Sequence, residues 1–270
     1  MPSHSSRFSR FCSLIRPRPA AAPSPKSPKQ ALVRFLWESP LSLLLCAALL
    51  VSGAAVLRQS AALPVFSGQP DEPYRTGITT TGRIAIACNV AWGQETLPEM
   101  LQTLEEAGVT ITFNILGEWA DSHPDDLRRI AEAGHELGLH GYYHKNYSAL
   151  SAAQVQEDIS RADETVFRIV GMHTTLFTPP SGDYDEESLR AAQELGMVVY
   201  LWSIDTIDWR REGAEATLRR VFRDPKAGDI ILMHPLPDTA KALPELLSGL
   251  RERGLTVCPV GELLPDSPLD

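Results

Sequence analysis

From Arg83 onward, short apolar runs alternate regularly with longer helical patterns, and this alternation restricts the fold more than any other feature. Ile84 to Cys88, Val109 to Ile115, the run after Gly134, Leu176 to Thr178, Val198 to Trp202, Ile230 to Met233 and Leu255 to Pro259 read as short buried strands. Between them, Thr96 to Ala107 places Leu97, Met100, Leu101 and Leu104 on one helical face, and Ser151 to Val170 does the same with Val155, Ile159, Val166 and Ile169. Ser122 reads as the N-cap of another helix, with Pro124 and two acids in its first turn and Gly134 at its end. Further helices are expected at Glu186 to Leu195, Ala214 to Phe222 and Asp238 to Arg253. Strands separated by helices run parallel, so the fold class is α/β, with a parallel sheet either open or closed into a barrel.

Folds of this kind place their chemistry where strands end and βα loops begin. His140, Asp205 and His234 all fall at or just after such an end. His140 and His144 are four residues apart, so on one helical turn both imidazoles point at one cation. Seven histidines in 270 residues give about 0.2 such pairs by chance, so the pair needs support from its surroundings.

Residues 1–33 precede the first acid, Glu38, and hold Arg7, Arg10, Arg16, Arg18, Lys26 and Lys29 among Ser and Pro; this segment reads as a disordered basic tail. Pro40 to Leu57 carries no charge and would extend about 27 Å as a helix, close to a bilayer's hydrocarbon thickness. Arg34, Trp37 and Arg58 flank it as interface residues, giving a single-pass anchor over 34–58. The positive charge before it predicts a cytoplasmic N-terminus and an extracytoplasmic C-terminal part. Ser60-Ala61-Ala62 resembles a cleavage site, but the long tail favours retention, and Leu45 before Cys46 argues against lipid attachment. Residues 59–82, rich in Pro, Gly and Thr, read as a linker before a domain over 83–270.

After Arg34 the chain holds 18 basic against 34 acidic residues, which excludes nucleic acid as a partner. Cys88 and Cys258 lie in strand-like runs and read as buried free thiols.

Several motifs then fall in a recognisable order. They are Gly134-His135-Glu136 with His140 and His144, Thr178-Pro179-Pro180-Ser181-Gly182, Trp202-Ser203-Ile204-Asp205-Thr206-Ile207-Asp208-Trp209, and Gly228-Asp229-Ile230-Ile231-Leu232-Met233-His234. From Ile84 to Leu264 the chain resembles the NodB-type polysaccharide deacetylases, carbohydrate esterase family 4, and within them a membrane-anchored, sporulation-associated subgroup.

The resemblance implies a distorted (β/α) barrel and hydrolysis of N- or O-acetyl groups on a cell-wall glycan of peptidoglycan type. It implies a divalent metal, usually zinc, bound by an Asp and two histidines, here His140 and His144. By the same resemblance His234 is the general acid, Asp208 orients it, Trp209 lines the sugar groove, and Pro179 and Pro180 shape its wall. The family's first motif is of the Thr-Phe-Asp-Asp-Gly type, supplying base and ligand in turn. Asn89 is expected at the base position and Val90 at the ligand position, while Thr178 replaces an Arg that pairs with the base. An amide accepts no proton, and loss of a general base costs roughly 10²–10⁴ in rate. Two readings follow: a deacetylase with weakened activity, or a non-catalytic glycan-binding or scaffolding relative at the cell envelope.

Overall fold

The computed structural model describes residues 71–265. The predicted tail and membrane anchor lie outside the described residues, as does the linker up to residue 70. Among the described residues no helix is long and apolar enough to cross a membrane.

Eight strands form one sheet: β1 (Arg83–Val90), β2 (Thr112–Ile115), β3 (Glu136–Leu139), β4 (Leu176–Phe177), β5 (Val198–Val199), β6 (Ile204–Asp205), β7 (Ile230–Met233) and β8 (Thr256–Cys258). Their order is β5-β4-β3-β2-β1-β7-β6, and every pairing is parallel. Ala85 pairs with both Ile230 and Cys258, so β8 lies on the edge of β1 opposite β7, below β2.

The helices are α1 (Leu97–Ala107), α2 (Gly117–Ser122), α3 (Pro124–Glu132), α4 (Ala152–Val170), α5 (Glu186–Glu194), α6 (Ala214–Val221) and α7 (Pro237–Glu252). A flat sheet in this order would hold its end strands about 29 Å apart. Yet β5 and β6 are consecutive in the chain, and the five steps from Val199 to Ile204 reach at most about 18 Å. The sheet therefore curls into a half-barrel.

Strand alternation sorts β1 into two faces. Ile84, Ile86, Cys88 and Val90 join the large core shared with Leu97, Met100 and Leu104 of α1 and Leu243, Leu246 and Leu250 of α7. Ala85 and Ala87 face the inside of the curl, with Leu176, Val198, Tyr200 and Ile230. Both faces are covered, which is why the strands read as continuous apolar runs. Cys88 and Cys258 are buried and free, as read from sequence.

Three details differ from the sequence reading. Ser122 ends α2, where its hydroxyl donates to Glu118 O, and His123 takes the N-cap position of α3. Of the segment expected as one strand over Val198 to Trp202, only Val198–Val199 forms β5; Tyr200 makes an isolated bridge with Tyr74, and β6 begins beyond it at Ile204. The linker is also shorter than composition suggested, because Tyr74 N donates to Val199 O and Gly77 N to Gly228 O. Six residues of α2 are too few to show a helical period, and nothing local distinguishes an extended linker from a bridging strand.

Candidate functional site

At the C-terminal ends of the strands lies a cavity of about 400 Å³ lined by Asn89, Trp92, His140, His144, Ser181, Trp202, Asp205, Trp209, Leu232 and His234. The structure thus brings Asn89, His140, His144, Trp209 and His234 together from four separate motifs. Asp208 lies behind His234. Pro179 and Pro180 are buried; they hold the turn that presents Ser181 rather than lining the cavity themselves.

His140 leaves β3, and its Nδ1–H donates to Thr178 O at 2.9 Å, which reserves Nε2 for other contacts. The His144 ring meets it edge to face, with centroids 5.3 Å apart. Burial lowers the proton affinity of both rings, taking His140 down to about 3; the neighbouring imidazoles add to this, while the Thr178 bond opposes it for His140. His135 has a structural role: its Nδ1 accepts from Ile111 N, and burial takes it to about 4.

These shifts predict acid instability. Between about pH 6.5 and those depressed values the unfolded chain binds protons that the folded chain does not, so stability falls as pH falls. Chemical unfolding at pH 4.5 should show a loss of about 5 kcal/mol relative to pH 7, about half from each of His135 and His140. Equal stability at the two pH values would contradict the burial of these rings as neutral groups.

Asp208 is buried and accepts three bonds, from His234 N (2.7 Å), His234 Nδ1–H (2.8 Å) and the Thr239 hydroxyl (2.6 Å). Burial alone would raise its carboxyl, but the His234 ring and these donors hold it below the usual carboxylate range. The backbone around the dyad is strained. Among the described residues three non-glycines have left-handed φ: Ser181 (58°), Ile207 (51°) and Arg211 (54°). Ser181 lines the cavity, and the other two bracket the turn Asp208–Arg210 that carries Trp209, with a β-branched residue in a conformation it rarely takes.

Asn89 and Val90, expected at the base and ligand positions, face opposite sides of the sheet. Asn89 and Val90 both remain in the β1 ladder, opposite Asn114 and Ile115. Neighbouring strand residues face opposite sides, so only Asn89 meets the cavity, and Val90 is fully buried against the helices. The amide oxygen of Asn89 is engaged: Asn114 Nδ2 donates to it at 2.8 Å, and the Tyr200 hydroxyl donates to Asn114 Oδ1 at 2.5 Å. The chain leaves the strand after Val90, and the residue that turns back over the histidines is Trp92. Its indole stacks on His234, with centroids 5.6 Å apart and planes 8° apart, and lies 6.2 Å from the His144 ring. Glu95 is exposed and does not line the cavity.

The sequence reading gave Trp92 no role. Gly93, with a φ of +82°, marks the close of the turn that carries Trp92.

A protein-held catalytic zinc takes three protein ligands. The cavity offers two imidazoles, an amide with a committed oxygen, and Asp205, whose Oδ1 accepts from Ile207 N at 2.7 Å. Among the described residues no three His, Cys, Asp or Glu side chains are arranged to hold a metal ion. The donor set does not fit the expected metal.

Comparison with known proteins identifies the relatives of this fold. Residues 77–200 match the polysaccharide deacetylase family model. The chain is 32% identical over 206 residues to the uncharacterized protein YlxY of Bacillus subtilis, covering 76% of this chain and 62% of that protein. It is 30% identical to a peptidoglycan-N-acetylglucosamine deacetylase of Bacillus cereus, covering 62% of this chain and 81% of that enzyme. Among solved structures it resembles BA3943 of Bacillus anthracis, described as a CE4 family pseudoenzyme, with a TM-score of 0.71, 31% identity, and 73% and 70% of the two chains covered. A mutant of BA3943 is described as having restored enzymatic activity. The chain spans 60–65% of the length of several curated relatives that it matches.

Proposed function

The chain belongs to the polysaccharide deacetylase family, and from that premise we propose that it binds an N-acetylated, peptidoglycan-type glycan at the cell envelope without hydrolysing it. One observation carries the reading: among the described residues no three His, Cys, Asp or Glu side chains are arranged to hold a metal, and β1 presents the amide of Asn89 rather than a carboxylate to the cavity. The described similarity of BA3943, a pseudoenzyme, supports it. The uncharged run from Pro40 to Leu57 and the basic residues before it support attachment to the membrane with the domain outside, as in the sporulation-associated subgroup.

A second reading, a deacetylase of weakened activity with a divalent metal such as zinc on His140 and His144, is favoured by the Asp208–His234 pair. That pair keeps the geometry of an oriented general acid. The two readings separate in an acetate-release assay of the full chain on N-acetylated peptidoglycan fragments with added zinc. No release above the protein-free blank is expected, and release abolished by a chelator would establish the second reading instead.

A further inference from the structure

We propose that Trp92 is a sugar-stacking residue: its indole occupies the space beside the histidine pair, so the cavity recognises the apolar face of a pyranose ring rather than a cation. The proposal rests on the glycan-binding reading above and names the group that performs it.

Three observations converge on this residue. First, its orientation is fixed. Gly93 packs so closely on the loop after β7 that a Cβ there would lie 2.0 Å from Pro235 O, which pins the turn holding Trp92 against the strand end holding His234. Second, one indole face is satisfied by the nearly parallel His234 ring, which Asp208 holds in place from behind. Third, the rest of the ring is uncovered. Trp92 is 41% exposed and Trp209 51% exposed, and both open onto the same cavity.

Large aromatic side chains left exposed at a concave site are costly unless a ligand covers them. A pyranose ring supplies a face of C–H groups that packs on an indole, while its amide and hydroxyls need hydrogen-bonding partners around the rim. Asn89, Ser181 and Asp205 supply such groups here. A cation finds a poorer environment, since an uncharged indole stands 6.2 Å from His144 and, among the described residues, no three His, Cys, Asp or Glu side chains are arranged to hold a metal.

The test uses the full chain and an N-acetylglucosamine oligomer, titrated calorimetrically. Trp92→Ala should weaken binding about tenfold or more, and Trp92→Phe should stay within about threefold of the wild type, with thermal unfolding confirming that both are folded. A wild type that binds while Trp92→Ala binds equally well overturns the proposal but leaves the glycan-binding reading intact. A wild type that binds no oligomer fails the underlying reading before any variant is compared. A second arm titrates Co²⁺ and follows its visible absorption. Trp92→Asp should gain a one-to-one complex on His140 and His144 that the wild type lacks, whereas a tight wild-type complex would overturn the claim that the indole displaces the cation.

Discussion

Asp158→Ala is expected to destabilise the domain by about 3–5 kcal/mol and to weaken glycan binding with it. Asp158 sits on α4 with its side chain buried, and the loop between the two cavity histidines wraps around it. Its carboxylate accepts from Tyr142 N and the Tyr147 hydroxyl, each at 2.8 Å, and more distantly from Tyr143 N, with Lys145 Nζ 3.5 Å away. Burial and the Asp158 charge push the Tyr147 phenol far up, so it remains a donor at any working pH. Gly141 completes the fit, because a Cβ there would meet the Tyr147 hydroxyl at 2.5 Å and Asp158 Oδ2 at 2.8 Å. Removing the carboxylate strands two buried donors at once, and Ala offers no replacement. Urea unfolding measures the loss. A cost under about 1 kcal/mol would show that the loop does not depend on this residue.

Val90→Asp is the second large effect, with an expected loss of about 3–5 kcal/mol and no gain in zinc affinity. Val90 is fully buried among apolar side chains on the helix face of β1. A carboxylate placed there has its pKa raised in the folded state. The destabilisation is therefore small below the unfolded value near pH 4 and grows as pH rises above it. Unfolding curves at pH 4 and pH 7, beside a zinc titration, check both parts. A Val90→Asp protein as stable as the wild type at pH 7 that also binds zinc would return the lost ligand position to residue 90 and remove the case for Trp92.

The strands and helices were legible because burial imposes a period, and the half-barrel follows from their parallel order. His140 and His234 were legible because each falls just after a strand end, and His144 through its spacing from His140. The place of Trp92 over the histidines was not. Cys88, Asn89 and Val90 are all compatible with a strand, so nothing local says whether β1 ends before or after Asn89, and a shift of two residues exchanges one set of neighbours for another. Asp158 was invisible for a related reason: an acid beside Ile159 in an amphipathic helix looks solvent-facing until the loop that folds over it is known. The wider spread of the network Asn89–Asn114–Tyr200 likewise joins residues up to 86 positions apart. Pairings at that range leave no trace in a local window.

Glycan recognition at this cavity is expected to need no metal. The measurement is a calorimetric titration of the full chain with a peptidoglycan-type N-acetylated oligosaccharide, before and after exhaustive dialysis against a chelator. The account predicts one dissociation constant in both states. Binding that disappears on chelation and returns with zinc would contradict it.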